Sequence, residues 1–164
     1  MHSRICQIEN APVCEENRIT EDAYIGDHWF TERIADYIDN DEDRDASLQR
    51  LKERLAAGAE HIEYFADDEV EGFVLREGFH TAYFAAEYEA FTKKLRDFCE
   101  KLSPESYADG SLNAAMFSLE SAYDDEYGFY VDSDETSLVT LNRFLRCARP
   151  DTRYYFGGTV DYHF

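Results

Sequence analysis

An α+β fold is the class this sequence predicts: a single domain, residues 1–164, with an antiparallel sheet and four to five helices packed against it. Three observations carry the expectation. Segments rich in branched and aromatic residues stand next to one another in the chain, which favours antiparallel pairing with helices gathered on one face. One long stretch is apolar at the helical period. No repeat, low-complexity segment or Pro- and Ser-rich linker divides the 164 residues. A chain of this length buries roughly two thirds of its unfolded surface around one core. With 44% apolar residues, 12 Phe and 12 Tyr, it is no disordered acidic tail.

In chain order, Arg4 to Ile8 reads as a short strand, followed by a polar turn from Pro12 to Asn17. Thr20 opens a helix in which Trp29, Phe30, Ile34, Tyr37 and Ile38 recur near the helical period, until Asp39 to Asp45 breaks the pattern. A second helix has Leu48, Leu51 and Leu55 on one face and Gly58 as its stop. His61 to Phe65 and Val70 to Leu75, with Asp67 and Asp68 between them, form a β-hairpin. The clearest helix sets Phe84, Tyr88, Phe91, Leu95, Phe98 and Leu102 in one stripe and ends at Pro104. That stripe is expected in the core, where Phe91→Ala would cost about 3 to 5 kcal/mol.

A further helix carries Leu112, Ala115, Met116, Leu119 and Tyr123, with Asp109 or Ser111 as N-cap, and Gly128 to Val131 follows as strand. Thr136 or Ser137 caps a last helix holding Leu138, Leu141, Leu145 and Ala148, which must stop before Pro150. Tyr154 to Phe156 and Thr159 to Phe164 are extended around Gly157 and Gly158. The pair permits a tight hairpin, with a positive φ at one glycine or both, or a single bulged strand. The hairpin is the expected form.

Charge is the unusual property. Asp and Glu number 36 against 16 Lys and Arg, a net charge of −20, where solubility alone needs a magnitude of about 2 to 8. The excess points to a basic partner or to an acidic proteome. Its distribution is uneven: Glu15 to Asp45 holds twelve acids and three bases, while Glu60 to Glu71 and Glu120 to Glu135 hold six and seven acids and no base. The long helix is balanced, with Glu87, Glu89, Asp97 and Glu100 against Lys93, Lys94, Arg96 and Lys101, several at ion-pairing spacing. Arg143, Arg146, Arg149 and Arg153 form the one basic cluster, suited to a helix C-terminus and to the protein's own acids.

Residues Met1 to Asn10 form no signal core, and no run approaches the ~20 apolar residues of a membrane span. A cytoplasmic setting is expected, with Cys6, Cys14, Cys99 and Cys147 reduced and most of them buried. Calcium loops fail at two trial positions. A loop begun at Asp39 or at Asp132 would place Arg44 or Ser137 where glycine belongs and Arg50 or Arg143 where glutamate belongs. No serine-hydrolase elbow, P-loop, dinucleotide fingerprint or zinc-protease helix is present. His28, beside Asp27 and Trp29, is expected to pack or cap, and Cys99 to be a buried thiol. No cofactor, metal or catalysis is expected.

Acid-dense segments interleaved with aromatics suit imitation of nucleic acid, whose duplex carries one negative charge per ≈ 1.7 Å. The candidate contact residues are Asp36, Asp39, Asp41, Glu42 and Asp43 in the first segment and Asp67, Asp68 and Glu69 in the second. The third segment supplies Asp124, Asp125 and Glu126, then Asp132, Asp134 and Glu135. In size and charge the chain is similar to small acidic proteins of phages and mobile elements that block restriction enzymes or CRISPR effectors; the likeness is in bulk properties and carries over no residue. It implies a non-catalytic inhibitor bound to a basic nucleic-acid-handling protein, with no nucleic acid or membrane bound directly. The alternatives are an acidic interaction domain without mimicry and a small enzyme with an unrecognised site. Twenty-four Phe and Tyr are many for one small core, so some are expected at an interface, including one between like chains.

Overall fold

A computed structural model of the protein describes residues 1–26, 28–67 and 70–164, His28 by its backbone alone. It shows an α+β domain built on one mostly antiparallel sheet. The strands are β1 (His2–Glu9), β2 (Tyr37–Asn40), β3 (Ile62–Asp67), β4 (Val70–Leu75), β5 (Tyr130–Asp132), β6 (Val139–Thr140) and β7 (Arg153–His163). The helices are α1 (His28–Arg33), α2 (Arg44–Arg54), α3 (Phe79–Glu100), α4 (Pro104–Ala108), α5 (Asn113–Asp124) and α6 (Leu141–Cys147). Strand order is β3-β4-β7-β1-β5-β6, with β2 also paired to β7. Only β1 and β5 run parallel among the described strands.

Two cores, not one, flank the sheet. Ile5 and Cys6 are consecutive strand residues and so point to opposite faces, yet both are fully buried. Cys6 and Ile8 join Leu48, Leu51, Phe79 and Tyr83 in the larger core, beneath α2, α3 and α6. Ile5 joins Phe30, Ile34, Tyr130 and Tyr162 in the smaller one, beneath α1. Helices therefore cover both faces, and the expectation of a single covered face is corrected.

β7 serves both cores through a bulge. While β1 advances two residues from Cys6 to Ile8, β7 runs three, from Thr159 to Phe156. The extra residue reverses the alternation, so Tyr154 and Phe156 enter the larger core while Val160 and Tyr162, of the same parity, enter the smaller. Gly157 and Gly158 lie in this bulge and neither has a positive φ. No terminal hairpin forms, and the sheet has one strand fewer there than expected. These glycines serve close approach: a Cβ on Gly158 would stand 2.6 Å from the Ile19 carbonyl oxygen. Gln7 Oε1 accepts from the N–H groups of Ile19 at 3.1 Å and Gly158 at 3.0 Å, fixing that crossing.

Other boundaries move for local reasons. The helix expected from Thr20 to Ile38 breaks into a 3-10 turn at Glu21–Tyr24, the short α1, and strand β2. Residues 37–40 pair with the free edge of β7, and ladder hydrogen bonds there outweigh a helical pattern. Gly58 does not stop its helix with a left-handed turn; its φ is −106°, and the Phe79 ring packs where a side chain would be. Thr140, rather than Thr136 or Ser137, caps α6, its Oγ1 accepting from Arg143 N–H at 3.3 Å, and Leu138 precedes the helix. Leu112 occupies the N-cap position of α5, while the Asp109 carboxylate accepts from Ser111 N–H at 2.8 Å just before it.

The largest correction concerns α3. Its 22 residues extend about 33 Å, and only Phe79 and Tyr83, near its start, are buried. Phe84, Phe91 and Phe98 are half-buried, whereas Leu95 is 38% and Leu102 50% exposed. Past the sheet, α3 packs on α5, with the Phe91 and Tyr123 rings 5.6 Å apart. The penalty of a core phenylalanine does not apply to Phe91. Cysteine burial is likewise reversed: Cys6 is buried, while Cys14, Cys99 and Cys147 are exposed. Burial pushes the Cys6 thiol up to about 12, assisted by the Asp41 charge, which holds it as an inert thiol at neutral pH. Among the described residues no helix is long and apolar enough to cross a membrane.

Candidate acidic interface

Two acidic segments far apart in sequence meet along one edge of β7. The other edge is taken by β1 from Tyr155 to His163. On the shared edge, β4 pairs with Arg153 to Tyr155 and β2 with Val160 to His163, so the two strands lie end to end. Phe156 to Thr159, between them, has no strand partner on that side among the described residues. Arg44, the first residue of α2, fills the gap: Nε donates to the Gly157 carbonyl at 2.7 Å and Nη2 to that of Phe156 at 3.4 Å. Its Nη1 reaches Glu71 Oε1 at 2.6 Å. One guanidinium thus replaces the missing ladder and ties the start of α2 to β4.

Beside this plug lies a groove of about 620 Å³, lined by Glu21, Asp39, Asp41, Glu42, Asp43 and Asp161, with Arg4 as its one cation. Strand register explains the row at its floor, because Arg4 on β1 faces Asp161 on β7, and Asp161 faces Asp39 on β2. Arg4 is committed: Nη1 donates to Asp161, and Nε donates to Ser47 Oγ at 2.8 Å. Asp39 and Glu42 make no ion pair with the described residues and are exposed. Asp43 is exposed as well, and its carboxylate caps α2 by accepting from Ala46 N–H at 3.0 Å. Asp36, at the strand's start, is 75% exposed with His163 Nδ1 3.6 Å away.

Asp41 differs from its neighbours, for its side chain is only 4% exposed. It accepts from Thr159 Oγ1 at 2.6 Å and from Asp43 N–H at 3.2 Å, with Arg4 Nε 3.7 Å away. Burial by itself would raise this carboxyl, but hydrogen bonds from Ser47, Thr159 and the Asp43 backbone, with the Arg4 charge, together hold it below the usual range. A folded pKa below the unfolded value of 3.8 gives stability that is complete above that value and lost as pH falls through the folded one. Urea midpoints of the protein should therefore fall on acidification below about pH 4, and those of Asp41→Asn should fall less steeply in that window. Parallel curves would place the acid sensitivity elsewhere.

The remaining candidates divide into spent and free. Asp124 binds Arg146, Asp125 lies 3.3 Å from Arg54 Nη2, and Glu126 lies 3.5 Å from Arg33 Nε. These three acids hold helices together and offer little uncompensated charge. Asp132 accepts from the Tyr24 hydroxyl at 2.7 Å. Asp134 and Glu135 are exposed near Glu9, whose carboxyl is raised by burial and by the nearby Asp134 and Asp132 charges. Asp67 is exposed at the end of β3, on a cleft of about 780 Å³ shared with Glu15, Glu16, Glu71, Arg18 and Arg44. Asp68 and Glu69 lie outside the described residues. Glu9, Glu21 and Asp161 were missed in the sequence because their partners come from distant strands, and no local pattern marks them.

Carboxylates here act by field and by hydrogen-bond acceptance, with no set of three or more His, Cys, Asp or Glu placed to hold a metal among the described residues. Fold and surface together define the class: an α+β domain with a bulged central strand and an acidic groove on one sheet edge. Its sequence matches no protein-family model and no curated protein, and its fold matches no solved structure.

Proposed function

We infer that the protein is a non-catalytic inhibitor that binds a basic, nucleic-acid-handling protein through acidic mimicry of DNA, in the manner of an anti-restriction or anti-CRISPR factor acting in the cytoplasm. One observation carries the reading: Asp39, Glu42 and Asp43, unpaired with any Lys or Arg among the described residues, line one groove beside the β7 edge, and Asp67 lines the neighbouring cleft on the other side of Arg44. Held by a strand, a helix start and the Arg44 plug, they form a preorganised row of negative charge of the kind a phosphate-binding groove meets. The test is cleavage of duplex DNA by purified restriction and CRISPR nucleases with increasing amounts of the protein at two salt concentrations. Inhibition that competes with DNA and weakens steeply with salt is expected. Absence of inhibition across the panel, or inhibition indifferent to salt and DNA, would overturn the reading.

A further inference from the structure

More than half of the chain's exposed large hydrophobic side chains lie away from the acidic groove. Of its twelve exposed large hydrophobic side chains among the described residues, seven fall between Tyr88 and Tyr123, on the arm made by the outer part of α3 with α4 and α5. Residues 88–124, the whole of this arm, carry seven acids and four bases, a net of −3, which leaves −17 of the chain's −20 on the rest of the molecule.

Two seven-residue series run along α3. Phe84, Phe91 and Phe98 form the inner one, half-buried, with Phe91 against Tyr123 of α5 and Phe98 lining a groove with Ala115 and Leu119. Tyr88 and Leu95, continued by Leu102 just past the helix end, form the outer one, and they are 69%, 38% and 50% exposed. A seven-residue apolar repeat is the seam of a helix that packs lengthwise on another helix, and among the described residues no helix covers this outer seam. The charges beside it are idle too. Lys93, Lys94, Arg96 and Lys101 make no ion pair with any described carboxylate, although Glu89, Asp97 and Glu100 share the helix, so the intrahelical pairs expected from spacing do not form.

We propose that the outer seam of α3 is a homodimer interface, covered by the same seam of a second copy running antiparallel. Charge selects this occupant. Two bodies of −17 repel wherever they meet, and the weakly charged arm, at −3, is the surface on which two copies can join with those bodies held apart. Antiparallel packing of Tyr88 against Leu95 of the other copy brings Glu89 of each chain near Arg96 of the other, and a two-fold axis makes that pair twice. This stands independently of the inhibitor reading, since the acidic groove and the arm share no residue.

Sedimentation equilibrium of the full chain from low to high micromolar concentration should show a monomer–dimer equilibrium. Leu95→Glu should raise the dimer dissociation constant at least about tenfold, because it puts charge into an apolar seam. Thermal unfolding at concentrations where the chain is monomeric should hardly change, since Leu95 is not in the core. Glu89→Arg alone and Arg96→Glu alone should each weaken the dimer, and the two together should restore it. That rescue also guards against a variant that merely misfolds. A chain that stays monomeric throughout overturns the proposal, as does a dimer indifferent to Leu95→Glu and to the charge exchange. Arm variants that abolish binding to a different protein or to anionic vesicles, in a chain that is monomeric, would assign the seam to that other occupant.

Discussion

Replacing Arg44 with Met should cost about 3 kcal/mol of folding stability, the largest loss expected from a single surface-accessible side chain here. The side chain is 21% exposed, and its guanidinium serves the Gly157 and Phe156 carbonyls and the Glu71 carboxylate together. Met matches the apolar stem but offers no donor. Gly157 is buried, so its carbonyl would lose its partner with little access to water. Glu71 would keep only Lys52, whose Nζ is 3.7 Å from its other oxygen. Arg44→Lys should fall between, because one ammonium keeps the charge but cannot span two carbonyls and a carboxylate. Urea unfolding of the three proteins measures the series. A loss below about 1 kcal/mol for Met would mean that water enters the gap and that β4 and β2 need no plug.

Neutralising the free acids of the groove should slow association with an inhibited nuclease by tenfold or more at low salt. The informative variant combines Asp39→Asn, Glu42→Gln and Asp43→Asn. Asparagine at position 43 preserves the helix cap, and Asp41 is left intact because its burial would confound binding with folding. Its control removes the same number of charges from the arm, as Asp97→Asn, Glu100→Gln and Glu120→Gln, and leaves Glu89 intact. Glu87 is left out of the control, since the hydrogen bond from Arg54 first, and its charge further, hold that carboxyl below its ordinary range, and it also accepts from Asn142 at 3.2 Å. A general effect of net charge would slow both variants alike. Mimicry predicts that the first loses rate and salt dependence while the second binds almost normally, and equal losses would end that reading. Neutralising Asp124, Asp125 and Glu126 should act differently again, lowering stability through Arg146, Arg54 and Arg33 more than it lowers association.

Ion pairing decided which acids remain available, and it could not be read along the chain. The runs 41–43 and 124–126 look alike in sequence. In the fold, the second falls within reach of three arginines from α1, α2 and α6, whereas Glu42 and Asp43 reach no base among the described residues. Within a single run, Asp41 turns inward to Thr159 while Glu42 beside it faces solvent.

The sequence by itself determined the fold class, the hairpin of β3 with β4, the cores of α2 and α6, and the acidic excess. Each of these depends on local period or on composition, which hold whatever the rest of the chain does. Only the tertiary structure decided that Tyr37 to Asn40 is a strand, that Gly157 and Gly158 form a bulge instead of a turn, and that the outer seam of α3 is bare. A helical stripe records that a face is apolar without recording what covers it. A glycine pair permits a turn, a bulge or a close crossing with equal ease. A short polar segment becomes a strand when a neighbouring edge offers hydrogen bonds, and that edge lies more than a hundred residues away.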